Sequence, residues 1–414
     1  MSGPRPLARA LVVAALVVSA SSSTAQQEWS EWRGPARAGE AAGFKTLTSW
    51  PSALELRFST AVGLGHAGPV VAGGIVCTHS RIDKNEVVSC RDLASGALKW
   101  SQSYPAPFNT AMGGGHHGAG PKATPTLRDG RLFTFGISGV LSVWDVATGE
   151  LAWRRDFREE HDKPWPRWGV AASPLVTGGR AYVHAGRKKG AFMALDARSG
   201  EEIWRVAGFG AAYGSPILVE LDGVRQIVAL ADKALMGIDL EGELLWRFEQ
   251  SHRENTPTPV AMGDNVVLAA KGRPTRALRP QRDGESWAVS LVWENKEIPL
   301  HMSSAVSAGG DQLCGFSHRK KGFAFCADAA TGDVIWRSPN RFAKHATVIK
   351  VPGAVLYVTP KGRLRVVEDG DTFRELADYK IAGTEVWAHP AILAESFVVK
   401  SYDQLLVWQL PATP

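Results

Sequence analysis

The sequence predicts an all-β protein: an eight-bladed β-propeller of four-stranded antiparallel blades, closed by an N-terminal strand. Three observations carry that prediction. A unit of the form Asp-x-x-Thr/Ser-Gly followed by Trp recurs with small variations, ending at Trp100, Trp153, Trp204, Trp246 and Trp336, with a degenerate copy near Trp293. A Gly-Gly or Asp-Gly hairpin precedes it, as in GPVVAGGIVCT, TPTLRDGRLFT and SPLVTGGRAYV. The composition, with 43 Gly, 24 Pro and 15 Trp among short Val-rich and Leu-rich runs, leaves almost no amphipathic helical stretch. A period of about 40 to 50 residues holding four short strands is the signature of a propeller blade.

Taken in chain order, residues 1–25 come first. Arg5 and Arg9 precede an apolar run from Ala10 to Val18 and a small-residue exit at Ser23-Thr24-Ala25, the pattern of a cleavable signal peptide. No later run approaches the ~20 apolar residues of a spanning helix, so no membrane span is expected. The expected location is periplasmic or secreted, and not that of a lipoprotein, because the first cysteine is Cys77. Residues 26–53, including WSEWRGPARAGEA from Trp29, are expected to form an arm packed across the outside of the ring.

The single propeller then spans 54–412. Its eight innermost strands begin at HAGPVV, KATPTL, AASPLV, YGSPIL, TPTPVA, MSSAVS, HATVIK and WAHPAI. The last unit, Val386 to Leu410, has only three strands, and LELRFST at Leu54 to Thr60 is an orphan that completes it and removes a sheet edge. Within the units, Asp92, Asp145, Asp196, Asp239 and Asp328 are expected to bond turn amides. Gly96, Gly149, Gly200, Gly242 and Gly332 supply positive φ, and each Trp packs between blades.

The Asp-x-x-Thr/Ser-Gly-x-x-x-Trp unit and its preceding hairpin resemble the PQQ-like repeat of quinoprotein-type eight-bladed propellers, from about Trp29 to Leu410. The resemblance implies one of two branches. Quinoprotein dehydrogenases hold PQQ and calcium, commonly beside a disulfide between adjacent cysteines. This chain has no adjacent cysteine pair and no Cys-x-x-Cys-His site, so PQQ is not favoured. The BamB-like branch binds partners and catalyses nothing, and the expected function follows it: an exported binding or scaffold module, leaning away from enzyme. The alternatives are an oxidoreductase holding PQQ or another redox cofactor over the channel, and a metal-assisted hydrolase or lyase.

In a four-stranded blade the loop entering the first strand and the turn between strands two and three share one face, here termed the inlet face. All eleven histidines map to it, along with two basic turns, GRKKG (Arg187 to Lys189) and SHRKKG (Arg319 to Lys321). Aligning the innermost strands puts His66, Lys122, Ala171, Tyr213, Thr256, Met302, His345 and Trp387 in one column at the channel mouth. The candidate ligand-binding set adds His116, His117, His161, Arg167, Trp168, His301, His318, Arg319 and His389. His66, His345 and His389, on consecutive blades, are the candidate ligands for a metal ion or proton-transfer groups near neutral pH. The loops Ser101 to Lys122 and Arg154 to Val170 are expected to wall or cover the mouth. GGGHHGAGPKATP is no phosphate loop, because Pro121 separates Gly120 from Lys122.

Cys77 and Cys90, and likewise Cys314 and Cys326, fall on neighbouring strands equidistant from a turn. They are either two disulfides, which export allows, or four small buried side chains. The net charge of +6 is too mild for nucleic acid. The expected partner is a protein, an anionic glycan or a small molecule, bound by a monomer.

Overall fold

The computed structural model describes residues 28–410 apart from 48, 110–116, 162–164, 251–253 and 310. The expected signal peptide, His116 and the last residues of the predicted propeller therefore lie outside the described residues. The chain forms eight four-stranded antiparallel sheets arranged as blades. Blades one to seven each consist of four consecutive strands. The eighth pairs Ala391–Ile392, Ser396–Lys400 and Gln404–Gln409 with the N-terminal strand Glu55–Ala61, as the orphan strand predicts. No α-helix occurs among the described residues, and none is long and apolar enough to cross a membrane.

The repeat unit explains how blades adhere. Asp145 Oδ1 accepts the amides of Ala147 and Thr148 at 2.9 Å, closing the turn between strands three and four of blade two. The next residue, Gly149, has φ +78, and a Cβ there would lie 2.6 Å from the ring of Trp100 in blade one. Trp100 in turn donates Nε1–H to the carbonyl of Val146 at 2.8 Å. Most of the repeat tryptophans are clamped in this way by the following blade's turn: Trp153 donates to Ala197, Trp204 to Leu240, Trp293 to Ala329 and Trp336 to Gly370, whereas Trp246 donates to Gln226 in its own blade. At the ring closure Phe58 of the N-terminal strand takes the tryptophan's place, lying against Gly96 of blade one.

The arm is not where the sequence placed it. It runs through the central channel, touching every blade at or next to its innermost strand. Trp29 exchanges backbone hydrogen bonds with Val71 of blade one at 2.8 and 2.9 Å, and Ser30 accepts from Leu127 of blade two at 2.7 Å. Arg37 donates to the carbonyls of Ser173 (3.2 Å) and Pro174 before blade three, and of Pro216 (2.9 Å) before blade four. Trp32 Nε1 reaches Thr258 before blade five at 2.9 Å, and Arg33 reaches Ala305 before blade six at 2.6 Å. Lys350 of blade seven bonds Gly39 and Ala41, and Trp29 stacks on His389 of blade eight.

The physical reason is that an innermost strand has no neighbour on its channel side. Its carbonyls there need donors, and two guanidiniums supply up to five N–H groups each. Arg37 is kept charged by Glu31 at 2.8 Å, itself shared with Arg128 at 3.0 Å.

Both cysteine pairs sit opposite one another in register, and the structure joins each as a disulfide, with Cα separations of 4.1 Å for Cys77–Cys90 and 4.0 Å for Cys314–Cys326. They are buried within blades one and six, away from the channel mouth.

Candidate functional site: a cationic, aromatic cavity at the channel mouth

Eight loops entering eight innermost strands converge on the channel, and the arm stops it from below. The result is a cavity of about 1800 Å³ on the inlet face. All eight residues of the predicted column line it: His66, Lys122, Ala171, Tyr213, Thr256, Met302, His345 and Trp387. Its lining also includes His117, Trp168 and His389 from the candidate set. The arm adds Trp32 and Arg33, residues that sequence reasoning assigned to the outside.

Trp387 organises the inner end. Its ring lies 4.9 Å from that of His117, 5.2 Å from His345 and 6.4 Å from His66. Across the mouth, Trp168 and Tyr213 pair at 5.6 Å, and Lys122 donates to the Trp168 carbonyl at 2.7 Å. That lysine and the ring of Tyr213 hold the end of the long loop entering blade three as a wall, as its length predicts.

The other candidates lie elsewhere. His301 sits behind His345 at 5.6 Å and His318 at 5.4 Å, and its Nε2 is 3.0 Å from Glu254, which also pairs with Lys271 at 2.8 Å. Arg167 is exposed, with its guanidinium 5.7 Å from the Trp168 ring. His161 packs by Gly186 in blade three. Arg319 turns away to donate to the Lys296 carbonyl at 2.6 Å.

The three candidate metal ligands do not converge. In ring order Trp387 stands between His345 and His66, and His389 is stacked on Trp29 at 5.7 Å and packed edge-on to Trp32 at 5.3 Å. Among the described residues no three His, Cys, Asp or Glu side chains are grouped to hold a metal ion. Burial also lowers the pKa of all three imidazoles. Burial, followed by the nearby Lys400 ammonium, pushes His66 down to about 3; burial and then Arg33 push His389 to about 3; burial and then His345 push His301 to about 4. Removing a cation's hydration inside a protein favours the neutral ring.

The positive charge comes instead from lysine and arginine. Ten of them line the cavity against three acids, Glu254, Asp378 and Glu385. Of the two predicted basic turns only Lys321 takes part, and Arg187 to Lys189 do not. Most of the remainder belong to the loop after blade six (Arg341, Lys344) and to blade seven (Lys361, Arg363, Arg365, Lys380). Lys361 occupies the same strand-two-to-three turn as the RKK motifs, so the rule that found them applies equally to PKGRLR.

Residues 84–338 match the family described as outer membrane protein assembly factor BamB. The chain belongs to the BamB family. BamB of Moranella endobia (strain PCIT) is 26% identical over 208 residues, 49% of this chain and 49% of that protein, so the chain matches about half the length of this curated relative. BamB from Moraxella catarrhalis superposes with a TM-score of 0.60 at 15% identity, covering 86% of this chain and 99% of that one. A europium-containing methanol dehydrogenase superposes at 0.57 and 13% identity, covering 93% and 98%. These structural likenesses are of fold alone.

The residues present do not fit a quinone held with a metal ion. The channel floor is filled by the BamB-family chain's own arm, and the cysteines lie within blades. The cavity acids are dispersed and engaged: Asp378 accepts from Arg363 at 2.8 Å, Glu385 from Trp387 at 3.0 Å, and Glu254 is paired as above.

Proposed function

We propose that the protein is an exported binding module of the cell envelope that holds an anionic partner in the inlet-face cavity and performs no chemistry on it. The observation that carries this is the convergence of all eight blades and the arm on one concave, predominantly cationic site. A rigid scaffold that presents loop residues in this way is suited to recognition, and charge of one sign in a cleft concentrates ligands of the other. Family membership supports the reading, since its curated relatives are named as outer membrane protein assembly factors. Export rests on the signal peptide pattern of residues 1–25.

The test is binding of a polyanion panel (hexagalacturonate, hexaglutamate and a heparin-derived hexasaccharide), followed by tryptophan fluorescence at low and high salt. At least one member should bind, with salt weakening it. The variant Lys321→Ser/Arg341→Ser/Lys344→Ser should bind about tenfold or more weakly. No binding by the wild type, or equal binding by the variant, overturns the proposal.

A further inference from the structure

The cavity is a trough with two chemically distinct ends. Its inner end is closed by Trp32 and Arg33 of the arm. From there the lining crosses blade seven outward, through Thr347 on its first strand, Thr359 on the second, Arg363 on the third and Lys380 on the fourth. Strands of a blade are ordered from axis to rim, so the outer end opens away from the channel. The volume of about 1800 Å³ exceeds the ~300–1,000 Å³ of sites that enclose one small molecule. A closed end, an open end and this size fit the terminus of a linear chain.

The inner end is predominantly aromatic, with Arg33 and the Trp387-bonded Glu385 as its charged members. Trp387 is surrounded by the imidazoles of His66, His117 and His345, and Trp168 and Tyr213 provide a second aromatic surface. Several buried polar atoms at this end lack a hydrogen-bond partner: His345 Nδ1, His389 Nε2 and Trp168 Nε1. His389 is nine-tenths buried. Aromatic faces attract weakly positive C–H groups, which one face of a pyranose ring presents, while unsatisfied nitrogens suit its hydroxyls.

The outer end is cationic. Lys321, Arg341, Lys344 and Lys361 have no acidic partner among the described residues. Lys321 and Arg341 are held at φ +66 and +68, a backbone conformation that L side chains seldom adopt. Such strain persists where the surroundings enforce it, often at binding sites. The outer lining is mainly Thr, Pro, Gly, Lys and Arg; its aromatic side chain, Phe342, is covered by the Arg365 guanidinium at 3.5 Å, and its acid, Asp378, is taken by Arg363.

Resting on the cavity reading above, we propose that the trough receives the end of a linear acidic oligosaccharide. Its terminal ring packs on Trp387, and the carboxylates or sulfates of the following units meet Lys321, Arg341, Lys344 and Lys361. The experiment is calorimetric titration of the full chain with galacturonate oligomers from dimer to octamer, with cellohexaose, a heparin-derived hexasaccharide and hexaglutamate as comparisons.

Affinity is expected to rise with each added galacturonate until the trough is filled and then level off. Cellohexaose should bind about tenfold or more weakly than hexagalacturonate. Trp387→Ala should lose affinity for every length including the dimer, whereas Lys321→Ser/Arg341→Ser/Lys344→Ser should chiefly flatten the dependence on length. Trp387→Phe, which keeps an aromatic face, should recover most of the binding, and it serves if the alanine variant fails to fold. Tighter heparin than galacturonate binding assigns sulfated rather than uronate sugars within the same proposal. Hexaglutamate binding as tightly as either sugar, or affinity independent of length, overturns it while leaving the anionic-partner reading standing. Absence of binding to any polyanion sinks both.

Discussion

His66 and His389 show how position converts an ordinary side chain into a stability sensor. Both titrate near 3 in the folded protein, because burial and the neighbouring Lys400 and Arg33 oppose their charging. A histidine in the unfolded chain titrates near 6.5. Between those values the unfolded state binds more protons, so the stability from these neutral rings is fully present above about pH 6.5 and lost as pH falls toward 3. Each imidazole contributes up to about 1.4 kcal/mol per pH unit to that slope. Urea midpoints measured from pH 8 to 4 should fall on acidification, and His389→Gln should flatten the decline; an unchanged slope would reject this assignment. The sequence put both histidines at the mouth through the strand column. It could not show that they would be dry, since burial of His389 comes from Trp29 and Trp32, more than three hundred residues away in the chain.

The arm illustrates the opposite failure of local reasoning. WSEWRGPARAGEA is polar and charged, a composition that reads as surface, yet Trp29, Arg33 and Arg37 are almost completely buried. What reverses the expectation is a set of carbonyls from blades three, four and six that face the channel with no strand beside them. Arg37→Met should leave Glu31 with only the half-exposed Arg128 and strip the donor from the carbonyls of Ser173, Pro174 and Pro216, at a cost of roughly 3 to 5 kcal/mol. Arg128→Ala removes only a half-exposed partner of the same glutamate and should cost no more than about 1 kcal/mol. Thermal melting of the two variants checks the contrast, and equal losses would mean that the arm is not held through Arg37.

The ring as a whole depends on one joint between its ends. Glu55–Ala61 pairs with Gln404–Gln409, and Phe58 substitutes for the interblade tryptophan against Gly96. Blades two to four are joined to their neighbours by continuous chain as well as by tryptophans, so opening should begin where only non-covalent contacts close the circle. Phe58→Ala is expected to lower the melting temperature and to speed hydrogen exchange in Glu55–Ala61 and Gln404–Gln409 together, leaving blades two to four protected. Uniform acceleration around the ring would show that closure is not the weak point.

Blade number, strand order, the closing strand and the eight positions at the mouth were legible in the sequence, because they follow from short-range chemistry repeated around the ring. An aspartate caps a turn, a glycine accepts positive φ under a tryptophan, and a proline-marked strand start fixes a column. The route of the arm, the neutrality of the histidines and the concentration of free cations over blade seven were settled only once the chain had folded. These depend on which unpaired carbonyls, aromatic rings and charges meet across the channel, and such encounters join segments that no local pattern links.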